Sequence, residues 1–340
     1  MGNVLSFGEI LLRLSPLLQG EWLEQNNVSA YVGGAELNVA AALAKWNIPV
    51  MYCSAMPDNF LSREIINYIE QKGINTSAFY FGGERIGIYY LPQGADLKHA
   101  GVIYDRVHSS FADLRPGMID WDEVLENVSW FHFSAISPAV SEDAADVCEE
   151  ALKAASAKKI TISADLNYRA KLWQFGKKPV EVMPSLVKYC DVIMGNVWSA
   201  NTLLGIPVDE NIHSDTSKEA YLNHSLKTSQ QIQQKFPKCT SVANTFRLDY
   251  KEQGIRYFTA LYQNEKQVSS PEFLADTIAD KVGSGDCFMA GLIYGLYNHH
   301  PQQKVIDFAT SAAYGKLYEK GDITSQDVLM IEERLLPKDI

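Results

Sequence analysis

The sequence predicts an α/β protein: a doubly wound, mainly parallel sheet flanked by helices, with a small β-sheet lid. From Trp130 onward, short β-branched and apolar runs alternate with helical segments, the order that builds a parallel sheet covered on both faces. Between Thr76 and about Asp105 the pattern changes to period two with aromatics and glycines, as antiparallel strands require. A third observation is the stretch Asp280–Gly295, DKVGSGDCFMAGLIYG, in which a Gly-rich turn opens an apolar helix.

In chain order, Val4–Leu12 reads as a first strand, followed by a polar stretch with Gln19, Gly20, Gln25, Asn26 and Asn27. Tyr31–Trp46, YVGGAELNVAAALAKW, reads as a turn at Gly33 and Gly34 feeding an Ala-rich helix with Asn38 in its first turns. Val50–Ala55 is a short buried strand, and Ser62–Lys72 an amphipathic helix stopped by Gly73. Ser29–Val32 joins the period-two segment in the small sheet, which carries Tyr89 in GIYY and Tyr104 and Arg106 in YDR. Residues two apart on a strand share a face, so that phenol and guanidinium either point together at a carboxylate or lie on a solvated lid face.

The alternating half then runs Trp130–Ser134 strand, Glu142–Ala157 helix, Ile160–Asp165 strand and Val180–Tyr189 helix. Val192–Gly195 follows as a strand and Val197–Leu204 as a helix. Ser217–Lys235 is a polar helix, Thr240–Thr245 a strand running into NTFRLDY, and Ile255–Tyr262 a further strand. Helices Gln302–Lys320 and Gln326–Leu335 close the sheet, and the loop between them carries Asp322.

Chemistry concentrates at two of these places. Gly283, Ser284 and Gly285 leave backbone N–H groups accessible at a helix start, where unpaired donors and the helix dipole favour an anion. Asp286 at that turn either takes a proton from a hydroxyl or merely caps the helix. The second place is the carboxyl end of the Ile160–Asp165 strand, since ligands bind beyond such ends. An extended continuation would align Asp165, Asn167 and Arg169 on one face; the alternative is a loop ion pair between Asp165 and Arg169.

Composition narrows the partners. A formal charge of −11 argues against a nucleic-acid backbone or an anionic membrane as the main partner. No apolar run approaches the length of a membrane span, and Glu9 and Arg13 interrupt the first hydrophobic stretch, unlike a signal peptide. Cys53, Cys148, Cys190, Cys239 and Cys287 are scattered without CxxC spacing, the pattern of buried thiols in a reducing cytoplasm.

Taken in order, GGAELN, YDR, DLNYR and GSGD resemble the motifs of the ribokinase-like (PfkB) carbohydrate kinases, and in particular their 2-keto-3-deoxygluconate kinase branch. The resemblance covers roughly residues 4 to 325 and implies one ribokinase-like domain over residues 1–340, with lid strands inserted at about 13–33 and 76–110. It implies ATP as co-substrate, Mg2+ as cofactor, and transfer of the γ-phosphate to a hydroxyl of a sugar acid. Asp286 would be the base, and Gly283, Ser284 and Gly285 the anion hole. Gly33, Gly34, Asn38, Tyr89, Tyr104, Arg106, Arg169 and Asp322 would hold the sugar acid. Asn167, Asn196, Asn244 and Arg247 would face the nucleotide, and Asp165 is the candidate metal carboxylate.

There are three departures. Lys281 stands where the family usually has Thr before the turn. Ser199 replaces the Glu of an N-x-x-E motif that helps to hold magnesium, and Asn244, Thr245 and Arg247 replace a T-x-G-x-x-G pattern at the nucleotide pocket. These last two support a catalytically impaired sugar-binding relative as a rival reading. A neutral-sugar kinase of the fructose or ribose type is the nearer rival, and Arg106 argues against it. A dinucleotide oxidoreductase fails on position, because the glycine motif does not follow the first strand. Lid sheets with aromatic faces often pair across a two-fold, which makes a homodimer through the lid the candidate assembly.

Overall fold

The computed structural model describes residues 2–16, 27–92, 101–252 and 254–336. Parts of the expected lid, 17–26 and 93–100, lie outside the described residues. The chain begins with β1 (Asn3–Phe7), β2 (Leu11–Ser15), β3 (Ser29–Gly33), α1 (Ala35–Lys45), β4 (Val50–Cys53) and β5 (Ala55–Met56). It continues through α2 (Phe60–Glu70), β6 (Tyr80–Phe81), β7 (Gly87–Tyr90), β8 (Ile103–Asp105), α3 (Trp121–Val124) and β9 (Val128–Ser134). After α4 (Glu142–Ala157) come β10 (Thr161–Asp165), α5 (Pro179–Val187), β11 (Val192–Gly195), α6 (Val197–Leu204) and α7 (Lys218–Lys235). The last third holds β12 (Ser241–Tyr250), β13 (Gly254–Gln263), β14 (Lys266–Ser269) and β15 (Phe273–Ala275). Helices α8 (Ser284–Tyr297), α9 (Gln302–Lys316) and α10 (Val328–Glu333) close the chain.

The main sheet has nine strands in the order β14-β13-β12-β11-β10-β9-β1-β4, with β15 paired to β13. Every pairing from β4 to β12 is parallel, and β13 turns antiparallel at the edge. The central strands are buried along almost their whole length because both faces are covered. Alternate residues feed opposite cores: Leu5, Phe7, Phe131 and Phe133 pack with Trp121 and α4, whereas Val4 and Trp130 pack with α1, α8 and α9. Helix starts are fixed by side-chain caps from Asn59, Ser141, Asn196 and Ser217, each accepting a backbone N–H of the first turn.

A separate four-stranded sheet runs β3-β2-β7-β8. Here β2 alternates buried and half-buried residues, as a strand with one covered face does. The expected first strand, Val4–Leu12, is therefore two strands. The chain leaves the main sheet at Gly8–Ile10 and enters the small one, and Glu9 is buried at that crossing. The Thr240–Thr245 strand is also longer than expected, because β12 stays paired with β13 from Ser241 to Tyr250.

Candidate active site

Strand β1 lies between β4 and β9, so the chain moves to one side of β1 and later returns to the other. That reversal is the switch point at which an open α/β sheet forms its crevice, outside the carboxyl ends of the strands. Asp165 ends β10, Ser134 ends β9, and Asn196 follows β11. Helix α8 is buried almost all round, and its Gly283 cap adopts φ 75°, a conformation suited to glycine. A side chain at Gly283 would collide with the Asp322 carbonyl, whereas a Cβ at Gly285 would meet nothing within 4 Å. Open space therefore adjoins the unpaired N–H groups of this helix start.

Asp286 lies in the first turn of α8, only 8% exposed, and accepts a 2.7 Å hydrogen bond from Asn38 Nδ2. The other amide atom, Asn38 Oδ1, is buried and has no partner among the described residues. A buried acceptor left unsatisfied is costly, and a substrate hydroxyl would satisfy it. Burial raises the Asp286 carboxyl to about 7; the Asn38 hydrogen bond and the Arg169 charge oppose that rise, and Glu36 and Asp322 add to it. A carboxylate tuned near neutrality is suited to accept a proton at working pH. Burial likewise raises Asp165 well above its usual range, reinforced by the Asp286 charge and opposed by Arg169.

The small sheet reaches this site through Asp322. Arg13 on β2 is buried and pairs with Asp322 at 2.8 Å, while its guanidinium stacks 4.3 Å over the Tyr31 ring. Tyr89 Oη donates to the other Asp322 oxygen at 2.9 Å. Gly33 is needed here for room, since a Cβ would come within 2.8 Å of Asp322 Oδ1. Tyr89 and Tyr104 are cross-strand partners with ring centroids 6.3 Å apart. Expected sugar-side residues Gly33, Tyr89 and Asp322 thus interlock, Asn38 is held on Asp286, and Gly34 caps α1 where a side chain would strike the Glu9 carbonyl.

Other expectations need correction. Arg106 does not lie beside Tyr104 on an open strand face: β8 ends at Asp105, and the buried Arg106 pairs with the carboxylate of Glu9, which also accepts from Ser109. The chain does not stay extended past Asp165 either, because Tyr168 N bonds back to Leu166 O at 2.8 Å. Asn167 and Arg169 consequently sit on a loop, Asn167 half-buried and Arg169 exposed. Asn244 faces inward: its amide accepts from Ser225 and Ser229 and donates to the Gly195 carbonyl, tying β12 to α7 and β11. Asn196 caps α6 by accepting from Ser199 N. Arg247, by contrast, reaches the anion turn, with Nη1 3.3 Å from Ser284 Oγ.

Sequence reasoning passed over Glu9, Arg13 and Glu36. Glu36 is buried on α1, and its Oε1 accepts from Ser134 N, Ser134 Oγ and Ser137 Oγ at 3.0, 2.6 and 2.8 Å, clamping the end of β9. Burial raises its pKa despite those bonds. The signal was a charged residue inside an apolar run, as in LLRLS, since buried charges are kept only when paired.

A buried carboxyl tuned near neutrality beside an open helix start is the pairing that phosphoryl transfer to a hydroxyl requires, and such a fold and site suit a kinase acting on a small hydroxylated substrate. Comparison supplies the family. Residues 1–328 match the pfkB family carbohydrate kinase, and the chain belongs to that family. It is similar to a solved 2-dehydro-3-deoxygluconokinase from Thermotoga maritima, with 32% identity and a TM-score of 0.88 over 98% of this chain and 99% of the other. A 2-dehydro-3-deoxygalactonokinase from Haloferax volcanii is 26% identical over 94% of this chain and 92% of its own length. Fructokinase-2 of Zea mays is 24% identical over 98% and 94%. No helix among the described residues is long and apolar enough to cross a membrane.

Proposed function

We propose that this carbohydrate kinase phosphorylates a 2-keto-3-deoxy sugar acid, 2-keto-3-deoxygluconate being the foremost candidate, with ATP as donor. One observation carries the acid specificity. Arg169 is exposed at the carboxyl end of β10, its charge is felt at both Asp286 and Asp165, and it makes no salt bridge to a described residue. A guanidinium so placed suits a carboxylate on the substrate. The names of the Thermotoga and Haloferax relatives support the same substrate class. A neutral-sugar kinase is the second reading, favoured by the internal pairing of Arg106 with Glu9.

In the proposed reaction the Asp286 carboxylate takes the proton of the acceptor hydroxyl, while Asn38 Oδ1 accepts from a second hydroxyl of the sugar and so positions it. The resulting oxygen bonds to the γ-phosphorus as the bond to the β–γ bridging oxygen breaks, and the nucleoside diphosphate leaves. The N–H groups of Gly283 to Asp286, with Arg247 close by, hold the charge on the transferred group. The small sheet, latched through Arg13, Tyr89 and Asp322, keeps water from competing for the phosphoryl group.

Among the described residues no three His, Cys, Asp or Glu side chains converge to hold a metal. Magnesium bound through nucleotide phosphates needs only one or two protein carboxylates, and Asp165 fits that need. When bound, it would neutralise charge on the phosphates. The functional reading is tested by mass spectrometry of the product formed from 2-keto-3-deoxygluconate and ATP. The expected product is the sugar acid monophosphate; an unmodified acid alongside phosphorylated fructose or ribose would favour the second reading.

A further inference from the structure

We propose that Lys316 is an internal cation of the phosphoryl-transfer site, a positioning residue that fixes the anion-binding turn from beneath and adds positive potential to it. Lys316 ends α9 and is fully buried. Its Nζ donates to the Gly321 carbonyl at 2.8 Å and to the Glu319 carbonyl at 3.3 Å. Among the described residues no carboxylate lies within ion-pair distance of it. The nearby Glu319 carboxylate is occupied by Thr324 Oγ1, Ser325 N and Ser325 Oγ. A buried charge without a counter-charge is unusual, because burial removes its hydration and carbonyl dipoles return only part of that loss.

Its surroundings say what completes it. The two carbonyls belong to the loop that carries Asp322, and the Asp322 carbonyl lies 2.1 Å from where a Cβ on Gly283 would stand. Lys316 Cε lies 3.3 Å from that same point, so loop, ammonium stem and turn are in direct contact. At Cys287, the residue after Asp286, burial raises the thiol most, Glu319 adds to the rise, and the Lys316 charge opposes it. The ammonium thus sits beside the positive end of α8. Two positive features side by side, without an anion, repel one another; a phosphoryl group arriving at the turn relieves that repulsion. The arrangement is therefore best satisfied when charge develops on the transferred group. This holds for whichever sugar hydroxyl is the acceptor.

The test is steady-state kinetics of Lys316→Ala with the sugar that the wild type turns over. The expected result is a kcat lower by on the order of 100-fold, the low end for losing an oxyanion-stabilising donor, with the sugar KM nearly unchanged. Removing the side chain leaves two carbonyl oxygens around a space the size of an ammonium group. Added ammonium or potassium chloride should therefore restore part of kcat in the variant, while tetramethylammonium chloride, too large for the space, should not. The wild type should respond to none of them. Wild-type kcat in Lys316→Ala, or a loss that neither small cation restores, would overturn the proposal. Should Lys316→Ala fail to fold, Lys316→Met keeps the space filled without the charge: a lower kcat at unchanged KM supports the role, and an unchanged kcat overturns it.

Discussion

Asn38 Nδ2 lies 2.7 Å from Asp286 Oδ2, so α1 holds the carboxylate of α8 across 248 residues of sequence. The bond orients the proposed base and favours its ionised form, against a burial cost that still leaves its pKa at about 7. Activity and stability therefore pull in opposite directions at this residue.

Asp286→Asn should lower kcat by roughly two to four orders of magnitude, the range for losing a general base, with sugar binding nearly intact. For the wild type, log(kcat/KM) should rise with pH and level off above about 7, since only the ionised carboxylate accepts a proton. The stability effect has the opposite sense. The folded pKa is raised above the unfolded value of 3.8, so the native state binds more protons between the two, and wild-type stability falls as pH rises through about 7. Asn has no such titration. Thermal melts at pH 8 should find the Asn variant more stable than the wild type, with the gap closing toward pH 4; equal melting temperatures at both pH values would contradict the burial argument.

Arg169→Leu should raise KM for the sugar acid by about 10- to 100-fold, the worth of one hydrogen bond to a charged group, and leave a neutral analogue almost unaffected. Because Arg169 is exposed, melting temperature should hold. Equal losses for acid and neutral sugar would favour the neutral-sugar reading.

Arg106 should behave differently, because it is paired internally with Glu9. Arg106→Leu leaves Glu9 buried without its partner and should destabilise the fold by about 3–5 kcal/mol in urea unfolding. Replacing both, Glu9→Leu with Arg106→Leu, should recover much of that loss. A single variant as stable as wild type but defective in acid binding would return Arg106 to the substrate.

How much of this was legible in the sequence depends on whether a residue's role is local. The α4, β11 and α6 boundaries follow from apolar periodicity and adjacent caps, and the structure places them where the sequence does. The Gly-rich turn and Asp286 were equally readable, because the helix start they form is a local feature. Arg106 and Asn244 were misjudged for the opposite reason. Each has a partner that local spacing does not reveal: Glu9 for Arg106 and Ser225 for Asn244. Arg13 and Asp322 are 309 residues apart, and only the folded chain brings them together.

Ser199 occupies the third position of α6, where its N–H meets the Asn196 cap. A Glu there is compatible with a capping box and with the helix dipole. Ser199→Glu should add a carboxylate in the first turn of α6, just beyond the end of β11, and lower the magnesium concentration needed for half-maximal activity, with the sugar KM unchanged. An unchanged magnesium requirement would remove Ser199 from the account of the metal.

Phosphoryl transfer to a sugar acid is read from kcat/KM for nucleoside diphosphate release. The assay sets 2-keto-3-deoxygluconate and its galactose-derived epimer against fructose and ribose, with ATP and magnesium. The expected kcat/KM for one of the two acids is at least about 100-fold above either neutral sugar, as one charge-assisted contact to the carboxylate would supply. A neutral sugar turned over as well as or better than both acids would contradict it.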